Sequence, residues 1–299
     1  MPLVPKLVLR LACTLRGAAL SGAAAIAIAG CGKWSGAALA DDVTPSGHAA
    51  AVIAAAVPVA RSEPGTGAAI GAAVAAGGAT HDRACPDGMV LVEGEYCPEV
   101  EQKCLRWLDP PGDRYAFFRC AEYAKPAVCK SARVHERFCI DEKERVEPGT
   151  DIPMNGKSWT AARDVCREGG ARLCMTSEWQ FACEGEEMRP YPYGWERDGA
   201  VCNVDIGHGL GRVGRLVDHR TPASAHPQCV SPFGVHDMAG NVDEWATVDG
   251  APRGRREVMK GSWWLPGRHA CRSFQGGHGP FYGGTESGVR CCKDAAPSP

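Results

Sequence analysis

The stretch of sequence that decides the fold is Phe233-Gly-Val-His-Asp-Met-Ala-Gly-Asn-Val-Asp-Glu-Trp245. Its Gly-Asn pair favours a tight turn, which lets neighbouring carbonyl groups point in one direction. Oxygen atoms can then converge from Asp237, Gly240, Asn241 and Glu244. Calcium is bound by about six to eight such oxygen atoms, some of them backbone carbonyls. The same residues are also typical of a simple Gly-Asn turn with solvated acids and a core tryptophan, so both interpretations stay open at this point.

Residues 1–31 are typical of a bacterial secretion signal. A basic segment that ends at Arg16 precedes a short apolar run at residues 18–29. This run is too short for a membrane-spanning helix. The last four residues of the segment, Ile-Ala-Gly-Cys, resemble the site at which bacterial lipoproteins are cleaved and lipidated. We therefore predict a lipid anchor on Cys31. Because Gly32 rather than Asp follows, we also predict a place at the outer membrane of the cell envelope; an ordinary signal peptide is the alternative.

Composition divides the rest of the chain. Residues 32–84 are rich in Ala and Gly and have almost no aromatic side chains, which predicts a disordered tether without a packed core. Residues 85–293 hold seven of the eight tryptophans and are enough for one sizeable core. Residues 294–299 would form a short tail. The net charge is only −2 and there is no long basic run, so we predict no binding of nucleic acid.

Fourteen of the sixteen cysteines lie in segment 85–293. An even number of cysteines in an exported domain predicts disulfide bonds. Zinc is the competing interpretation, but the chain has no Cys-x-x-Cys pair and no His-Glu-x-x-His sequence. The cysteines are therefore expected in disulfides.

Regular secondary structure is sparse in this sequence. Residues 158–168 predict a helix with Ser158 as its N-cap and Cys166 on its apolar face. Residues 176–183 predict a second helix with Trp179 facing inward. Turns rich in Gly and Pro follow, so the sequence predicts an irregular, loop-rich α+β domain that disulfides hold together.

Eight segments follow one another in an order that resembles a single family. They are residues 89–94 (MVLVEG), 138–144 (FCIDEKE), 158–163 (SWTAAR), 169–183 (GGARLCMTSEWQFAC), 191–194 (YPYG), 233–245, 260–263 (KGSW) and 287–291 (SGVRC). The longer ones resemble the motifs G-K-R-L-P-T-E-A-E-W-E-Y-A and F-G-L-Y-D-M-A-G-N-V-W-E-W, and the last two resemble R-G-G-S-W and I-G-F-R-C. The chain is thereby identified as similar to the formylglycine-generating enzyme, or sulfatase-modifying factor, family over essentially all of residues 85–293.

This resemblance implies a fold, a chemistry and a metal. Members have an irregular α+β fold related to C-type lectins, and active members oxidise a cysteine of a nascent sulfatase to formylglycine with copper and molecular oxygen. The resemblance implies structural calcium at the turn, bound by the side chains of Asp237 and Glu244 and by the carbonyls of Gly240 and Val242. A second calcium site would begin at Asn203 and Val204, but its distal ligands have no clear counterpart here.

Two disulfides are implied by the resemblance, Cys166 with Cys291 and Cys183 with Cys271. In the chain-entropy model, a bridge that closes a loop of about 100 residues, as the first would, stabilises the fold by about 4–5 kcal/mol. The sequence does not pair the further cysteines at positions 85, 97, 104, 120, 129, 139, 174 and 292.

The copper site of active members does not carry over. Those members bind copper through two nearby cysteine thiolates, a soft pair that suits Cu(I). Leu265 stands where the first cysteine belongs, and Cys271, near the second, is the expected partner of Cys183. A nucleophilic or copper-binding Cys271, with His269 two residues away, is the alternative. The histidines from His208 to His278 lie in Gly- or Pro-rich surroundings and are expected to be exposed, so the sequence does not indicate an iron site.

Several functions remain compatible with the sequence. One is an oxidoreductase of the formylglycine-generating type with a different metal site. Another is a calcium-stabilised, membrane-anchored module that binds a peptide or glycan in a groove lined by Ser262, Trp263 and Trp264, to which Phe274, Phe281 and Tyr282 could add. Because the cysteine pair is missing, we predict a family member of the cell envelope without copper-dependent oxidase activity. Whether it is an enzyme stays open.

Overall fold

The computed structural model describes residues 84–207, 216–252 and 254–297. The described residues all belong to one compact unit. The predicted signal, Cys31 and nearly all of the predicted tether lie outside the described residues. Within the described ranges, no helix has the length and apolar character needed to cross a bilayer.

The described residues form short strands and two helices, which are connected by long loops. In chain order they are β1 (Met89–Tyr96), β2 (Val100–Glu101), β3 (Cys104–Trp107), β4 (Cys120–Tyr123), β5 (Val128–Cys129), β6 (Val134–Asp141), α1 (Trp159–Glu168), β7 (Arg172–Leu173), α2 (Thr176–Glu184), β8 (Asp243–Thr247), β9 (Glu257–Lys260), β10 (Ser287–Gly288) and β11 (Cys291–Asp294). The fold is therefore α+β and rich in loops, as predicted.

An antiparallel sheet in the order β1-β6-β11-β7 supports the main core. Val92 pairs with Phe138 across this sheet, and both side chains are buried against α2. The sheet reaches past the predicted domain end at residue 293, because Asp294 belongs to β11. The Ala296 N–H also donates to the Ala84 carbonyl at 2.9 Å, so the two ends of the domain meet.

Both predicted helices form, and local signals explain where they begin. The Ser158 hydroxyl accepts a hydrogen bond from the Ala161 N–H at 3.2 Å, which caps α1 as predicted. At the start of α2, the Asp249 carboxylate from a later loop accepts a hydrogen bond from the Ser177 N–H at 2.9 Å. Trp179 on α2 is fully buried in the core, as its spacing predicted.

A second sheet, in the order β10-β8-β9, brings the functional segments together. β9 is antiparallel to β8 and places Lys260 opposite Glu244, whereas β10 is parallel and places Ser287 opposite Asp243. Three of the segments that resemble the family, 233–245, 260–263 and 287–291, therefore meet at one small sheet.

Two small ladders, β2 with β5 and β3 with β4, precede β6. Disulfides hold them, Cys97–Cys129 in the first and Cys104–Cys120 in the second. The residues between Cys104 and Cys120 are called the Cys104–Cys120 loop below. This loop forms one wall of the cavity described next.

Candidate functional site

The Gly-Asn turn packs directly against the segment that was assigned to a second calcium site. Gly240 has φ = +85°, and an added Cβ would overlap the Asn203 carbonyl and the Val204 side chain. The Asn241 N–H donates to the Asn203 carbonyl at 2.9 Å, and Asn203 Nδ2 donates to Asn241 Oδ1 at 3.0 Å. Asn203 and Val204 therefore support the turn, and only glycine fits at its tightest point.

Glu244 forms a buried ion pair with Arg290, and both side chains are at most 1% exposed. Arg290 Nε lies 2.8 and 2.9 Å from the two Glu244 carboxylate oxygens, and Arg290 Nη2 lies 2.7 Å from Oε1. Trp179 Nε1 donates to Oε2 at 2.6 Å. The pair connects the turn to the closing SGVRC segment, and it directs N–H donors at both oxygens of Glu244.

Asp237, the other predicted side-chain ligand, has no hydrogen-bond partner on either carboxylate oxygen although it is only 2% exposed. Burial raises its pKa to about 7, against the lowering effect of Arg290. Glu144 lies in the same cluster, where Asn241 Nδ2 donates to it at 2.7 Å. Burial, together with the Asp237 and Glu244 carboxylates, raises the pKa of Glu144 well above its usual value. Three buried carboxylates share one buried guanidinium, so a proton or a cation would stabilise the cluster.

The predicted calcium ligands fit a calcium ion only in part. Asp237 offers two unpartnered oxygen atoms, but Glu244 uses its oxygens on Arg290 and Trp179. Among the described residues, no group of three or more His, Cys, Asp or Glu side chains is placed to hold a metal. The number of available side-chain oxygen atoms is therefore smaller than the about six to eight oxygen ligands that calcium takes. Calcium at this turn stays a prediction, and its side-chain support comes from Asp237 rather than Glu244.

The cysteines of the described residues are all paired. Cys166 bonds to Cys291 and Cys183 bonds to Cys271, as the resemblance implied. The structure adds the pairs that the sequence left open: Cys85–Cys139, Cys97–Cys129, Cys104–Cys120 and Cys174–Cys292, and also Cys202–Cys229. No described cysteine therefore has a free thiol.

The position of the family's copper site holds no thiolate pair. Leu265 lines a cavity beside β8 and β9 where the first cysteine would stand. Cys271 is completely buried and its sulfur is bonded to Cys183. Cys271 is therefore a disulfide cysteine, as one of the two interpretations predicted, and has no free thiol to act as a nucleophile or a copper ligand.

This cavity has a volume of about 470 Å³ and lies where the sequence placed the binding groove. Ser262 and Trp263 line it, and Phe274 adds to the wall. The placement of Trp264 in the groove is wrong: this side chain is fully buried and is absent from the cavity wall. The two indole rings are in contact, with their centroids 4.9 Å apart, but only Trp263 reaches the cavity.

Asp243 at the floor of the cavity was not predicted. It is 1% exposed; its Oδ1 accepts a hydrogen bond from the Ser262 N–H at 2.8 Å, and its Oδ2 has no partner. Burial raises its pKa to about 8, and the Glu286 and Glu244 carboxylates add to this effect. The signal was present in the sequence, because Asp243 stands where the motif G-N-V-W-E-W has its first tryptophan.

The expectation that the histidines from His208 to His278 are exposed is wrong for those that the structure describes: His219, His226, His236 and His278 are half-buried, and His269 is buried. This side chain is 1% exposed, with Nε2 2.8 Å from the Trp263 carbonyl and Nδ1 2.5 Å from Arg197 Nη2. Burial and the Arg197 charge lower its pKa to about 4. His269 therefore holds the backbone behind the cavity as a neutral ring. His208 lies outside the described residues.

Comparison with known families agrees with this geometry. The family model described as "Sulfatase-modifying factor enzyme 1-like domain" matches residues 100–295, which include the turn, the cavity and the second sheet. The chain belongs to the sulfatase-modifying factor family.

Individual relatives are distant. "Serine/threonine-protein kinase pkn1" of Chlamydia caviae is 29% identical over 153 residues, 50% of this chain and 21% of the kinase. "Inactive C-alpha-formylglycine-generating enzyme 2" of Mus musculus is 26% identical over 156 residues, 48% of this chain and 50% of that protein. The chain thus spans about a fifth to a half of the length of these relatives. Among solved structures, CarF is 16% identical with a TM-score of 0.45, covering 70% of this chain and 98% of CarF.

Proposed function

We propose that this protein is a formylglycine-generating-enzyme-like protein of the cell envelope, that it lacks copper-dependent cysteine oxidase activity, and that it binds a ligand in the cavity beside Ser262. The copper chemistry needs a pair of thiolates. In the described residues every cysteine is in a disulfide, and Leu265 stands at the position of the first thiolate. This observation carries the proposal, and the mouse relative, which is named as an inactive formylglycine-generating enzyme, supports it.

The envelope location rests on two features. Residues 1–31 are typical of a lipoprotein signal, with Cys31 as the lipidated residue. Disulfides persist in oxidising compartments outside the cytosol, and this domain has seven. We therefore propose that a lipid on Cys31 attaches the protein to the outer membrane.

Mass spectrometry tests the loss of oxidase activity. The purified full chain is incubated with copper, oxygen and a Cys-x-Pro-x-Arg peptide, beside an active family enzyme as the positive control. We expect the control to convert the peptide cysteine to an aldehyde and this protein to leave the peptide unchanged. Turnover by the protein at a rate within about tenfold of the control would overturn the proposal.

A further inference from the structure

We infer that the cavity beside Ser262 takes an acidic carbohydrate, a sugar that carries carboxylate or sulfate groups. This inference rests on the proposed binding function and names the ligand class of the same cavity. It comes from a wall with unpaired arginines and from a floor with an unpartnered carboxylate.

The wall of the cavity contains two arginines without acidic partners. Arg114 lies in the Cys104–Cys120 loop and Arg268 follows β9; both are exposed and line the cavity. Their guanidinium groups lie over aromatic rings, Arg114 at 5.4 Å from the centroid of Tyr115 and Arg268 at 4.2 Å from that of Phe118. Neither guanidinium has a carboxylate oxygen of a described acidic side chain within 4.0 Å.

Other arginines near the cavity do have acidic partners. Arg119, in the same loop, and Arg197 both pair with Asp205 at 2.8 Å. Arg114 and Arg268 lie over aromatic rings but form no ion pair with a described carboxylate, so their N–H donors can serve a ligand. A planar guanidinium recognises carboxylate or sulfate oxygens by paired, charge-assisted hydrogen bonds.

The floor of the cavity requires a hydrogen-bonding partner that can either donate or accept. Asp243 Oδ2 is buried without a hydrogen-bond partner, which is unfavourable unless a ligand supplies one. Ser262, Ser273 and Gln275 add short polar groups around it. Sugar hydroxyls both donate and accept hydrogen bonds, whereas an acidic peptide has few hydroxyls to offer to such a floor.

The remaining wall and the size of the cavity also suit a sugar. Trp263 and Phe274 provide aromatic faces on which the C–H face of a sugar ring can pack. The volume of about 470 Å³ falls within the range of about 300–1,000 Å³ that is usual for small-ligand sites. Anionic groups at the arginines and hydroxyls at Asp243 together define an acidic carbohydrate.

Calorimetric titration of the purified full chain tests the inference. The carbohydrate probes are tetragalacturonate, its uncharged methyl ester, maltotetraose and sulfated maltotetraose. Tetraglutamate is the acidic peptide that tests the alternative class of ligand. We expect at least one charged sugar to bind about tenfold or more tightly than its uncharged counterpart, and to bind more weakly as salt increases. The two charged sugars distinguish a carboxylate from a sulfate as the preferred group.

Variants tie that binding to the cavity. Arg114→Gln and Arg268→Gln should each weaken binding of the charged sugar about tenfold. Arg106→Gln is the matched control, because Arg106 is exposed on β3, pairs with Glu122 and is not part of the cavity wall. Asp243→Asn keeps the size of the side chain and the acceptor for Ser262, and should weaken binding of charged and uncharged sugars alike.

The outcomes separate this inference from the proposed function. Equal affinity for charged and uncharged sugars, or unchanged affinity in both arginine variants, overturns the inference. Binding of tetraglutamate without binding of any sugar also overturns it, but leaves the cavity as a ligand site. Oxidation of the sulfatase peptide would overturn the proposed function whichever sugar binds.

Discussion

The ion pair between Glu244 and Arg290 gives the sharpest stability prediction. Glu244→Gln removes the negative charge but keeps the shape of the side chain, and it takes away the carboxylate that forms the direct, buried ion pair with Arg290. Both groups are at most 1% exposed and three of their N–O distances are between 2.7 and 2.9 Å. Breaking one partner of such a buried pair costs about 3–5 kcal/mol. For a domain of this size, this loss corresponds to a fall in Tm of about 6–20 °C.

The assay is thermal and urea unfolding of the purified protein, in EDTA and again in calcium. Glu99→Gln, at an exposed position, is the control and should change the free energy of unfolding by less than about 0.5 kcal/mol. The double variant Glu244→Gln/Arg290→Met should lose less than the two single losses combined, because the two residues are in contact. A loss below about 1 kcal/mol in EDTA, or a loss seen only with calcium, would show that Glu244 does not act through Arg290.

Three further predictions concern neighbouring residues. Lys260 is 1% exposed, its amine has no hydrogen-bond partner, and burial lowers its pKa to about 7. Stability should therefore rise with pH from about 7 towards the unfolded pKa of about 10.4, where the unfolded chain loses its proton. Lys260→Met should raise the free energy of unfolding at pH 7 by about 1–3 kcal/mol and flatten this rise in urea titrations; lower stability at pH 7 would contradict it. The calcium-dependent part of Tm should vanish in Asp237→Asn and persist in Glu244→Gln; a calcium effect that survives Asp237→Asn would refute the assignment to Asp237. Gly240→Ala should lower the free energy of unfolding by about 2–6 kcal/mol, because of the positive φ and the overlap of the new Cβ with its neighbours. The control Gly250→Ala should lower it by about 1 kcal/mol, because Gly250 has φ = +64° but open space around it. Equal losses in denaturant unfolding would be inconsistent with this packing.

The sequence predicted those features whose signals are local or belong to a long motif. Ser158 caps α1 because a hydroxyl before a helix accepts an N–H bond regardless of the rest of the fold. Trp179 faces the core because its apolar spacing fits one helical face. The disulfides Cys166–Cys291 and Cys183–Cys271 were implied by the resemblance to the family.

The features that sequence reasoning missed depend on contacts between distant segments. Trp263 and Trp264 are adjacent and chemically equal, so only the packing of the folded chain decides which one lines the cavity. Arg114 reaches the cavity only because a disulfide-closed loop folds against the segment after β9. Asp243 looked like one more acid of the turn, and its burial became evident only when the second sheet formed around it.

The central claim is that this domain keeps the family scaffold but has no thiol pair for copper. Its most direct test is alkylation of the unreduced protein in denaturant, followed by peptide mapping, with a reduced sample as the control. We predict that none of the fourteen cysteines from Cys85 to Cys292 is alkylated before reduction and that all are alkylated after it. Recovery of Cys271 and Cys183 as free, alkylated thiols before reduction would contradict it.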